Sequence, residues 1–240
     1  GALLLASPAT ATEAAVQELG AEFWAWRATT QPTTGDDIPR IERPSGWVPD
    51  WSPQAIARQR DALRQFEARW TRLADEPRNV SHSVDYRLVG SALARVRWEL
   101  DHVAAWRRQP HFYVAQAFTP IFEVLLPPPP VESERIAQVV RLLENAPAVF
   151  VAARHNLDDM RDPFVDAALA QLGMVPRSLR GMVAGLEPHA KPEQRKALVA
   201  SVENAIAAAA QFGEFLENNR DGLPDSTAVG EESYRFFLNE

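Results

Sequence analysis

Apolar residues recur at steps of three and four along most of this 240-residue chain, and prolines repeatedly mark where a run can start or must stop. That combination commits the chain to a series of helices of limited length. After Thr12 a first helix runs through AAVQELGAEFWAWRAT into a loop that begins near Gln31 and Pro32. Ser52 followed by Pro53 predicts the next start, because a serine side chain can cap free amides and proline at the first helical position gives up no needed hydrogen bond. That helix places Ile56, Leu63, Phe66, Trp70 and Leu73 on one face and ends by Pro77. From Ser83 to Arg108 a single helix is expected, with Val89, Leu93, Val96, Leu100 and Val103 facing inward and Arg95 to Glu99 and Arg97 to Asp101 as i to i+4 pairs.

Pro110 breaks that helix, His111 to Leu126 reads as another, bent near Pro120, and the four prolines Pro127 to Pro130 spell a stiff, extended spacer. Helix resumes with Ile136, Val139, Val140 and Leu143, restarts at Pro147, and starts again where Asp162 can cap and Pro163 can occupy the first turn. A shorter helix around Leu179, Met182, Val183 and Leu186 precedes a long one from Pro192 to Asn218, which aligns Leu198, Val202, Ala205, Ala209, Phe212 and Leu216. Gly222 and Pro224 end it. A last amphipathic piece over 230–240 brings Tyr234, Phe237 and Leu238 to one face with no terminator after it, so the chain reads as cut from a longer protein. The fold class is therefore all-α, an irregular multi-helix bundle with a long proline- and tryptophan-rich amino-terminal loop. Residues 1–11 read as a signal-peptide remnant or a start within a longer protein, and 12–240 as a single helical domain with 127–130 as its candidate subdomain boundary.

The stretch from Phe23 to Pro53 holds four of the seven tryptophans. Its loop portion has no period, so it either wraps the domain or lines a site. Trp47 and Trp51 divide between anchoring that loop and contributing to a ligand groove, with anchoring favoured. Trp70, Trp98 and Trp106 read as packing residues, since a buried indole supplies large apolar area and needs one hydrogen-bond partner.

The net charge of −7 and the lack of a basic stripe argue against nucleic acid as a partner. The absence of cysteine excludes thiolate nucleophiles and cysteine-ligated metals. The apolar run Ala2 to Ala6 and the small residues Ala9, Thr10 and Ala11 point to export, periplasmic or extracellular, while the missing basic leader leaves a cytoplasmic location open. No run reaches the roughly 18 to 20 apolar residues of a membrane span, so none is expected.

No phosphate-binding loop, dinucleotide fingerprint, nucleophile elbow or HExxH is present. Glu99 and His102 form an ExxH pair, but a di-iron bundle needs a second copy, which leaves an ion-paired helix face as the stronger reading. His155 with Asp158 and Asp159 reads as a charged helix end, and Asp36 with Asp37 as a solvated turn. No catalytic or metal-ligating residue, and no cofactor, is expected in this chain.

FWAWRATTQPTTGDDIPRIERPSGWVPDWSP, VDYRLVGSALARVRWELD with its following WRRQPHFY, LLPPPP and VGEESYRFFL, in that order, resemble the amino-terminal part of the bacterial family called domain of unknown function 885. That resemblance implies a longer protein similar to gluzincin-type zinc metallopeptidases, in which an HExxH helix and a downstream glutamate hold zinc. It implies zinc only in a carboxy-terminal part that is absent here, and makes that catalytic region and a peptide substrate the expected partners. This chain would then form one wall of the substrate cleft, with Tyr234, Arg40 and Arg43 as candidate substrate contacts; the alternative is a non-catalytic helical binding or scaffold domain.

Overall fold

The computed structural model describes residues 8–33, 42–74 and 80–239. Helices α1 (Pro8–Thr30), α2 (Pro53–Arg72) and α3 (Val80–Arg97) lead into a π-helical turn (Trp98–Val103). They are followed by α4 (Ala105–Arg108), α5 (Pro110–Leu125), α6 (Ser133–Asn156), α7 (Asp162–Leu186), a 3-10 turn (Glu187–His189), α8 (Pro192–Asn218) and α9 (Glu231–Asn239). There is no strand among the described residues, so the fold is all-α. By contact the chain forms two compact units, the first from 1–30, 56–104 and 229–240, the second from 31–55 and 105–228. The proline run 127–130 lies inside the second. It is non-helical and exposed, and its Pro129–Pro130 bond is cis.

In the first unit α2 runs antiparallel to both α1 and α3. Phe66 meets Phe23 edge-on with ring centroids 5.7 Å apart, and Arg69 pairs with Glu22. On the other side Trp70 stacks on Tyr86 at 4.7 Å and donates its indole N–H to the Tyr86 carbonyl at 2.9 Å. The core is Leu19, Phe23, Leu63, Val89, Leu93, Val96 and Leu100, with Phe66, Trp70 and Leu73 partly buried against it, which is the face the periodicity of α2 and α3 marks.

The single helix expected over 83–108 is interrupted. Ala104 takes a left-handed conformation (φ 43°) and its N–H reaches back five residues to the Glu99 carbonyl at 3.1 Å. The wider π turn means that four residues no longer complete one turn, so the expected Arg97 to Asp101 pair does not form. Arg97 instead pairs with Glu67 at 2.6 Å, and Asp101 accepts from Arg60 Nε at 2.8 Å. The Arg95 to Glu99 pair, one turn earlier, is present at 3.2 Å.

In the second unit α6 is the central helix, packed on α5 and α8, while α7 covers the same two. Ile136, Val139, Leu143, Ala146, Val149, Phe150 and Ala153 line its buried face, and Phe150 stacks on Phe212 of α8 at 4.9 Å. All six residues aligned along α8 are buried. By length and composition α6 is apolar enough to cross a membrane; in the fold that apolar face is a core face against α5 and α8.

Two expected breaks are absent. α6 continues through Pro147 and α7 through Pro176, so the shorter helix expected around Leu179 is the second half of α7. An interior proline costs a helix about 3 kcal/mol, and neighbours that bury it along its length offset that. Asp162 is also not a cap: it is the first residue of α7, and its carboxylate accepts from Arg220 at 2.7 Å.

Candidate functional site

The second unit holds the loop that the sequence singled out. Ser52 caps α2 by accepting the Ala55 N–H at 3.2 Å. Upstream of it, side-chain amides of α6 take alternate backbone carbonyls of the strap 47–51: Gln138 bonds the Trp47 carbonyl at 2.7 Å, Asn145 that of Pro49 at 2.9 Å, and Asn156 that of Trp51 at 2.7 Å. Alternation of this kind is what an extended segment presents, with every second carbonyl on one side. Gln116, fully buried on α5, completes the attachment: its amide oxygen accepts from the Thr33 N–H at 2.9 Å and the Trp51 indole at 3.2 Å, and its amide nitrogen donates to the Thr33 carbonyl at 2.8 Å. Trp51 is buried and meets Phe112 edge-on at 4.7 Å, so it anchors the strap.

Tyr113 sits within the same network, donating to the Trp106 carbonyl at 2.7 Å and accepting from Asn156 at 2.9 Å. Burial pushes its phenol well above the usual range, against the opposing bond from Asn156. A phenol held neutral in this way is a structural donor and no acid at physiological pH. Buried amides that grip the strap at several points hold it in place, so this network is an attachment.

The first unit offers a different surface. At the π-helical turn, His102 stacks with Trp98 and with Phe236 of α9, ring centroids 5.7 and 4.2 Å away, and its Nδ1 is 3.2 Å from the Ser233 hydroxyl. Glu99, the other half of the ExxH pair, is bound by Arg95 and by the buried Arg27 of α1. Both members are therefore engaged in ion pairing and ring stacking. Phe236 turns inward, whereas the residues expected to pack, Tyr234, Phe237 and Leu238, stand 56–61% exposed, Phe237 while also meeting Trp98 at 5.3 Å. The role of Phe236 was hidden in the sequence, since only the fold brings its ring onto His102.

Among the candidate contacts, Tyr234 is exposed on α9 of the first unit. Arg43 belongs to the second, where its guanidinium donates to the Gln31 carbonyl at 2.8 Å and lies 4.1 Å from the centre of the Trp47 ring. Arg40, Asp36 and Asp37 lie outside the described residues, as does Pro77. The acidic residues near His155 face arginines: Asp158 pairs with Arg107 at 2.7 Å, while Asp159 pairs with Arg161 at 2.6 Å and Arg108 at 3.3 Å. His155 itself is exposed. No group of three or more potential metal ligands is gathered among the described residues.

Against known proteins, the bacterial protein family of unknown function DUF885 matches over residues 29–240. No curated protein matches. A solved structure from Shewanella oneidensis, of a protein of unknown function considered a lipoprotein, is similar with a TM-score of 0.59 and 18% sequence identity. The likeness covers 96% of this chain and 41% of that one, so the chain spans less than half the length of its structural relative. At that identity the likeness is one of fold.

Proposed function

The chain belongs to the bacterial DUF885 family, and on that premise we propose that it is a helical wall of a larger protein whose reactive groups lie elsewhere in that protein. In this reading the larger protein is a zinc-dependent peptidase, its carboxy-terminal catalytic region is the partner of this chain, and a peptide is the substrate. The observation that carries the proposal is the face of α9. Phe236, stacked on His102 and Trp98, holds the helix in place, and Tyr234, Phe237 and Leu238 are presented together. A short helix with three large apolar side chains exposed gains stability when something covers them. The 41% coverage of the structural relative is consistent with further chain to do so.

In such a site the metal would polarise the scissile carbonyl and activate water, and this wall would exclude solvent and orient the peptide. Tyr234, Arg40 and Arg43 are the proposed substrate contacts; of the two that are described, Tyr234 is the more exposed, and Arg43 already serves its own strap. The test is made on the full-length protein. Zinc content and hydrolysis of a peptide library are measured, then repeated with Tyr234→Ser. Zinc-dependent hydrolysis with a raised KM in the variant is the expected result. A full-length protein without zinc and without hydrolysis would leave a binding or scaffold domain in its place.

A further inference from the structure

We infer that the groove between α7 and α8 of the second unit is a docking site for a basic amphipathic peptide segment of a partner protein. The groove encloses about 470 Å³. Its lining runs along α8 from Ile206 to Asn218, thirteen residues spanning about 18 Å of helix, longer than a small organic cation requires. Leu169, Leu172 and Ile206 supply apolar surface, while Gly173, Ala210 and Gly213 leave the space above it open.

The polar part of the lining sets the chemistry. Glu214 and Glu217 line the groove and have no partner among the described residues, and no cation is in the lining. Arg180 of α7 is committed to Glu203 at 3.0 Å, and Arg220, just beyond α8, to Asp162 at 2.7 Å and Asp166 at 3.0 Å; Arg177, which follows Pro176 on α7, is exposed and is not part of the lining. Two carboxylates three residues apart repel each other on a helix. These two also lie near the carboxy-terminal end of α8, where the helix dipole already disfavours negative charge and the last turn holds no basic residue. A surface of apolar side chains and free carboxylates is completed by a ligand bringing apolar groups and positive charge. A helix with leucines on one side and lysines or arginines beside them has that chemistry.

The probe is a fluorescent peptide of about 15 residues with leucine and lysine at helical spacing, compared with a leucine–glutamate counterpart. Anisotropy with the 240-residue chain should show saturable binding of the lysine peptide, weakening as salt rises. Glu214→Gln with Glu217→Gln should lower affinity by about tenfold. Gly173→Leu fills the groove from a position where an added Cβ meets nothing within 4 Å, so it should block binding while leaving the circular dichroism spectrum and melting temperature unimpaired. Unchanged affinity in Gly173→Leu, or equal binding of the glutamate peptide, overturns the proposal. So does full competition by spermidine at the peptide's own potency, which would make the site one for small cations, or a dimer that dissociates in Gly173→Leu, which would make it a contact between copies.

Discussion

Gly90 shows how one missing side chain sets a helix contact. A Cβ built there would stand 2.6 Å from Trp70 Cζ2 and 2.8 Å from Cε2, and the indole is held in place by its bond to Tyr86 and its stack on that ring. Gly90→Ala therefore exchanges about 1 kcal/mol of helix propensity for overpacking of about 1–3 kcal/mol. Net destabilisation is expected in urea unfolding, and a stabilised variant would show that Trp70 moves freely. His111 gives a pH dependence. Burial lowers its pKa from the ordinary 6.5, partly opposed by its bond to the Phe164 backbone. The folded state thus binds the proton less readily than the unfolded chain. The contribution is present above pH 6.5 and is lost as pH falls through the depressed value. His111→Gln should flatten the acid side of a stability-against-pH curve, and an unchanged curve would assign that slope to other groups.

At the scale of elements, α9 is held by ring contacts at the π turn, with Phe236 on His102 at 4.2 Å the tightest of them. Phe236 stacks on both His102 and Trp98, and Ser233 lies within hydrogen-bond distance of His102. Phe236→Ala should release the helix, seen as faster amide hydrogen exchange over 231–239 with α5 to α8 unaffected; retained protection there would mean that Phe237 on Trp98 suffices. Helix starts and buried faces were legible beforehand: Ser52 and Pro53 open α2, and the six apolar positions of α8 are all buried. The π turn was not, because no glycine or proline marks it and the Val89 to Val103 pattern looks continuous. Nor was the exchange of the Arg97 and Asp101 partners, which follows from that turn and from arginine and glutamate side chains on α2. Interior prolines misled in the other direction, since a local rule for breaking helices does not know what packs around them.

For the whole molecule, the second unit draws on two separated stretches, 31–55 and 105–228. A fragment comprising 105–228 retains the packed helices but leaves Gln116, Asn145 and Asn156 without the strap they bind. Without the strap those groups lose hydrogen bonds worth about 1 kcal/mol each and the surface that Trp51 covers opens to water, so that fragment should be helical yet less stable than the intact chain. Equal urea midpoints would show that the strap contributes nothing. Among the candidate contacts, the engagement of Arg43 by Gln31 and Trp47 depends on how the loop folds back. The sequence alone determined the helical class, most helix starts and the inward face of each long helix, because those follow from a local period of 3.6 residues and from caps a few residues away. Only the tertiary structure decided which ring of α9 packs, which carboxylate each arginine takes, and that Gln116 binds Thr33 across 83 positions. Those choices are made between segments distant in sequence, where the winning partner is the one the packed helices bring within hydrogen-bond or van der Waals reach.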